Sequence, residues 1–190
     1  MRGGVSKKLK NLTVGALLSA LSVAILAIGG VIEALDLSVA AMASFICVFA
    51  VIELGGMYPW LIFAVTSVIS IMLIPSNFGA WSYILFFGYY SILKEKIERL
   101  KPWLAWVIKM LIGNAALAIL LFGFGTITYG TGLGFVELVS KVFDTEAGVI
   151  FAVGCILLVE FFFVVYDIAL TKIITFYFTK LKHRFRFLHK

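Results

Sequence analysis

GVIFAVGCILLVEFFFVVYDIALTKIITFY, residues Gly148 to Tyr177, is an apolar run that carries Glu160 near its middle and Asp167 two turns later. It is long enough to cross a bilayer, which takes ~20 residues. A carboxylate at that depth costs at least ~2.5–3.5 kcal/mol, and a lipid-facing one recovers nothing. Seven residues apart, Glu160 and Asp167 fall on one helical face, with Val164 between them and Thr171 beyond. This spacing predicts a helix whose acidic face looks at other helices or at a wet cavity, with walls and partners supplied by the rest of the chain.

The composition agrees. Of the 190 residues, 63% are hydrophobic and only 14% charged, and the mean hydropathy is +1.11. A water-soluble domain carries about 25% charged residues, so the chain reads as a polytopic membrane protein. Its 17 glycines fall mostly inside apolar runs, where they permit close helix contact. The formal charge of +6 is spread over segment ends and tails. That suits anionic lipid and the insertion machinery, not a nucleic acid, which needs one concentrated basic face. Cys47 and Cys155 stand deep in apolar segments and read as small buried hydrophobes. Their number and spacing offer neither a disulfide framework nor a metal site. The basic amino end before a long apolar run has the outline of a signal peptide. The run is too long for one and more apolar segments follow, so an uncleaved first helix is expected.

Six apolar segments are predicted, at about 12–34, 37–54, 60–74, 78–93, 103–124 and 148–177, forming a single all-α transmembrane domain over residues 1–190. The first holds Ala16, Ala20 and Ala24 at four-residue spacing, a flat stripe for close packing inside the bundle or against a partner subunit. Glu33 and Asp36 at its end are either solvated loop charges or the lip of a site. Gly55-Gly56-Met57-Tyr58-Pro59 is a tight turn, and the third segment ends at Pro75-Ser76-Asn77. The fourth is aromatic, with Trp81 and Tyr83 near one end and Tyr89 and Tyr90 near the other, as in interfacial belts. The charged linker Lys94 to Pro102 is expected as a water-exposed helical extension with i,i+4 pairs. After a glycine-rich stretch, residues 135–143 read as a short amphipathic helix lying on the interface. The tail, 180–190, is basic and aromatic, which suits an anionic membrane surface.

An even number of crossings puts both termini on one side, and the basic residues choose which. Arg2, Lys7, Lys8 and Lys10, the linker's Lys94, Lys96, Arg99 and Lys101, and the tail's Lys180, Lys182, Arg184, Arg186 and Lys190 fall together, against Lys141 alone opposite. Both termini are therefore expected in the cytoplasm, with the cell membrane as the location. The depths that follow put Lys109 ~9 Å inside the fifth segment and Asp167 at a similar level, so a structural Lys109–Asp167 ion pair is predicted. Asn114 and Glu160 both fall near the midplane. They form either an interhelical hydrogen bond or the floor of a ligand pocket walled by Trp81 and Tyr83 and capped by the loops around Glu33 and Gly130.

Enzyme chemistry finds little purchase. His183 and His189 are both in the tail, so no intramembrane metal pair or histidine acid–base centre is available, and no cofactor is implied. The chain has no Gly-x-Ser-x-Gly elbow and no P-loop, so active transport would draw on an ion gradient or another subunit.

With about this length, six apolar segments, cytoplasmic termini and Ala16-x-x-x-Ala20 early in the first segment, the chain resembles the substrate-binding S component of energy-coupling-factor (ECF) vitamin transporters. The resemblance implies that Ala16 and Ala20 dock the transmembrane coupling subunit, which connects to two ATP-binding subunits. It also implies a small vitamin-like ligand captured from outside, and reorientation of the whole subunit driven by ATP hydrolysis elsewhere. The pocket residues Glu33, Trp81, Tyr83, Asn114 and Glu160 come from depth alone. Two other readings stay open: a self-contained ion-coupled carrier or channel using Glu160, Asp167 and Lys109 as a relay, and a non-transporting envelope scaffold.

Overall fold

The computed structural model describes residues 2–32, 35–129, 140–141, 143–144, 146–177 and 179. All regular structure among the described residues is helical. The helices are α1 (Arg2–Val31), α2 (Asp36–Glu53), α3 (Tyr58–Leu73), α4 (Phe78–Ser82), α5 (Gly88–Ile97), α6 (Pro102–Tyr129) and α7 (Glu146–Phe176), with a π-helical turn, Tyr83–Phe87, joining α4 to α5. Two compact units form, Met1–Phe135 with α1 to α6 and Val136–Lys190 with α7. Among the described residues, three helices are long and apolar enough to cross a membrane: α1 over Lys8–Gly30, α2 over Asp36–Glu53 and α6 over Pro102–Leu120; α3 is apolar but shorter. Of the amphipathic helix expected at 135–143, only Ser140, Lys141 and Phe143 are described, and all three are helical. The basic tail from Lys180 on lies outside the described residues.

Backbone chemistry sets the turn between α2 and α3. Gly55 and Gly56 have φ of +60° and +58°, the left-handed region that side chains with a Cβ rarely adopt. There the Gly55 N–H reaches back to the Ala50 carbonyl at 3.0 Å. Pro59 sits in the first turn of α3, where its missing N–H costs nothing.

Small residues set the packing. Gly15, Ser19, Ser22, Leu26 and Gly29 make the buried face of α1, and Ile62, Thr66 and Ser70 that of α3. A Cβ on Gly15 would lie 3.7 Å from Ile62, and one on Gly30 3.3 Å from Ile74. Numbering climbs on both helices from one contact to the next, so α1 and α3 run parallel. α2 contributes Ala40, Ala43, Cys47 and Ala50 to the core shared with Leu26, Ile62 and Tyr83.

The surface is more apolar than this interior. Leu17 is 67% exposed, Met72 78%, Trp103 79% and Leu111 70%, while Ser22, Ser44, Thr66 and Ser70 are fully buried. Water would penalise so much exposed apolar area. Lipid tails do not, and in lipid helices associate through small and hydroxylated residues. The distribution is compatible with a membrane protein.

The linker divides in two. Arg99 and Glu95 make the expected exposed i,i+4 pair, at 2.6 Å. Lys94, expected in water, is instead fully buried, because it continues the inward row of Tyr90, Ser91 and Ile97 on α5. Its ammonium lies 3.0 Å from the Glu98 carboxylate.

Candidate functional site

Asn77 and Asp36 organise the end of the first unit where α1 gives way to α2 and α3 to α4. Asn77 is extended at φ −82°, ψ 124° and caps α4. Its side-chain oxygen accepts the Ala80 N–H at 2.8 Å, while its amide nitrogen donates to Asp36 Oδ1 at 2.7 Å. Both side chains are buried. Asp36 opens α2, where unpaired backbone N–H groups favour negative charge. The fit is close on two sides. A Cβ on Gly79 would come within 2.8 Å of the Asp36 carbonyl oxygen, and one on Gly29 within 3.2 Å of Asp36 Oδ1. Trp81 stands on the same end, half-buried, with its indole N–H donating to the Pro75 carbonyl at 2.8 Å. Glu33, the expected lip residue, lies outside the described residues.

Tyr83, expected on a pocket wall, is fully buried. Its hydroxyl meets Cys47 Sγ at 3.1 Å and its ring centroid lies 6.0 Å from that of Phe63. The π-helical turn places it there. The Gly88 N–H reaches the Tyr83 carbonyl five residues back, and Gly88 has no Cβ to collide with Phe63, whose Cδ2 would be 2.6 Å away. Tyr83 is thus a core residue, and only a movement of α3 or α4 would open it to a ligand. Replacing its hydroxyl, Tyr83→Phe, is expected to lower stability by about 0.5–1.5 kcal/mol, read as a fall in the melting temperature.

On α6, Asn114 is exposed and donates to the Met110 carbonyl of its own helix at 3.0 Å. The groove beside it is lined by Trp103, Trp106, Val107, Met110, Leu111 and Ala115, all from α6, so it is a helix surface and not an enclosed chamber. Lys109 is buried. Its ammonium lies 3.7 Å from Glu98 Oε1 and 5.7 Å from the centre of the Trp106 ring, within cation–π range. Glu98 therefore draws in both Lys94 and Lys109 at the corner between α5 and α6.

In the second unit, Glu160 is half-buried and Asp167 only 4% exposed. Asp167 shares the buried face of α7 with Phe163 and Leu170, and its carbonyl accepts the Thr171 hydroxyl at 3.0 Å. Lys109 and Asn114 belong to the first unit and Asp167 and Glu160 to the second. Among the described residues no group of three or more His, Cys, Asp or Glu side chains is placed to hold a metal.

Within the first unit, then, Trp81 lies near the Asp36–Asn77 cluster, Tyr83 is in the core and Asn114 is on the α6 surface. The Asp36–Asn77 pair was missed as a unit from sequence. A signal for it exists: an asparagine immediately before a helix is a capping residue, and Asp36 has the matching first-turn position on α2. Ala16, Ala20 and Ala24 all lie on the exposed side of α1, opposite its buried small-residue face. Comparison of the chain with family models, with curated proteins and with solved structures finds no match in any of the three.

Proposed function

We propose that this chain is a six-span, membrane-embedded substrate-capture subunit of an ECF-type importer. The spans are those expected from the sequence, and both termini are cytoplasmic. In this reading the Asp36–Asn77 end faces outward, and a small vitamin-like molecule enters there, beside Trp81. Ala16 and Ala20 dock a transmembrane coupling subunit that carries the ATP-binding subunits.

The observation that carries the reading is the division of labour on α1. Its Gly15–Ser19–Ser22–Gly29 face is used inside the first unit, while a second small-residue row, Ala16, Ala20 and Ala24, is left exposed. A helix with two flat faces can pack on its own unit and still accept another helix closely. A surface that met only acyl chains would have no need of the second row.

Co-purification tests it. Wild-type protein from its native membrane should bring down a membrane coupling subunit and ATPases, and Ala16→Trp should abolish that association while ligand binding persists. Unchanged assembly in the tryptophan variant would sink the docking assignment. Ligand uptake by the purified chain alone in liposomes would establish the self-contained carrier instead, and failure to retain any small molecule would favour the scaffold.

A further inference from the structure

Among the described residues, several buried hydroxyls bond to the carbonyl one turn back. Ser19 donates to Gly15, Ser67 to Phe63 and Ser91 to Phe87, at 3.0, 2.7 and 2.9 Å. Ser22, Thr66, Ser70 and Ser82 depart from this habit. Each is at most 1% exposed, and the hydroxyl of each has no hydrogen-bond partner among the described residues. Buried polar groups are almost always paired, and exceptions point to a bound molecule or to strain.

Register places the four exceptions at similar depths on three helices that pack together. The contacts of Gly15 with Ile62 and of Gly30 with Ile74 fix the register of the parallel α1–α3 seam. Seven residues up from Ile62 is Ile69, and eight down from Ile74 is Thr66, so Ser22 sits level with the Thr66–Ser70 turn. At 1.5 Å per residue, Ser22 and Thr66 lie ~12 Å below the Gly30 level and Ser70 ~6 Å below it. Asn77 is level with Gly30, its amide nitrogen 4.0 Å from the position of a Gly30 Cβ. Five residues down α4, Ser82 therefore reaches the level of Ser70. α4 also packs on both α1 and α3.

We propose that the junction of α1, α3 and α4 is a buried hydration site, in which ordered water bridges Ser22 with Thr66 and Ser70 with Ser82. The ligand must be small and must both give and take hydrogen bonds. A cation would satisfy the hydroxyl lone pairs but leave four O–H donors unmet, and the nearest carboxylate placed by the register, Asp36, already accepts from Asn77 above them. Water meets both demands and typically makes about three hydrogen bonds in such sites.

X-ray radiolysis of the full chain in detergent, read by mass spectrometry, tests this, because bound water activated in place oxidises the side chains beside it. Leu26 and Ile62 stand one turn from Ser22 and Thr66 and are at most 2% exposed. They should be oxidised in the wild type and lose that label in Ser22→Ala/Thr66→Val/Ser70→Ala. Wild-type Leu26 and Ile62 that stay unlabelled would overturn the site, whether or not the triple variant folds. Thr66→Val keeps the side-chain shape and gives an independent reading. A fall in melting temperature supports a water-bonded hydroxyl, and a rise means the hydroxyl was dry and the site does not exist.

Discussion

Gly79→Ala should destabilise the first unit by about 2.5–6 kcal/mol, from overpacking of ~1–3 kcal/mol together with loss of a charge-assisted hydrogen bond worth ~1.5–3 kcal/mol. The added methyl would meet backbone, not the loose end of a side chain: the Asp36 carbonyl oxygen at 2.8 Å and the Asp36 Cα at 3.2 Å. α4 can make room only by backing away from the start of α2, and that movement pulls Asn77 off the Asp36 carboxylate. Gly123→Ala is the control. A Cβ there meets nothing within 4 Å, and alanine is worth up to ~1 kcal/mol over glycine inside a helix, so that variant should hold or gain stability. Thermal or denaturant unfolding of the two purified variants in detergent decides the matter. Equal melting of Gly79→Ala and wild type would mean that α4 does not press on α2 as described.

The second large effect is expected from Asn77→Ala. One substitution removes a helix cap, worth ~1 kcal/mol, and the donor to a buried carboxylate, worth ~1.5–3 kcal/mol. The loss should therefore be about 2.5–4 kcal/mol. A double-mutant cycle separates the two contributions. In an Asp36→Ala background the carboxylate term is gone, so Asn77→Ala should cost little more than the cap. Full additivity of the two substitutions would show that the 2.7 Å bond between them contributes nothing. Gly79 and Asn77 are close enough to couple, so their effects should not add either.

Much of the helical architecture was legible because the chain is punctuated strongly. Gly55-Gly56, Pro75-Ser76-Asn77 and Pro102 interrupt apolar runs, and α2, α3, α4 and α6 begin or end within a residue or two of those breaks. The small residues of α1 were also visible, but not which of its two rows would face inward. Alanines at 16, 20 and 24 and the glycine–serine row at 15, 19, 22 and 29 are equally flat, and only the contacts with α3 distinguish them. For Lys94, charge is a poor proxy for contact with water. A lysine one turn beyond Tyr90 and four residues before Glu98 can be buried when its carboxylate partner comes with it. Asp36 and Asn77 are 41 residues apart in the chain. Each carries a local helix-start signal, but nothing local says that the two starts meet. Glu160 and Asp167 were placed on one helix face by spacing alone, and Asp167 is buried on that face beside Phe163 and Leu170.

The π-helical turn at Tyr83–Phe87 has a consequence for everything downstream of it. Such a turn carries one residue more than an α-helical path requires, and each α-helical residue advances the azimuth by ~100°. The surplus residue therefore sets the rotational phase of α5. With it, Tyr90, Lys94 and Ile97 fall on the inward side; removed, the same three would swing about a quarter of a revolution toward the periphery. The burial of Lys94, and with it the gathering of two lysines around Glu98, is thus determined two to three turns upstream.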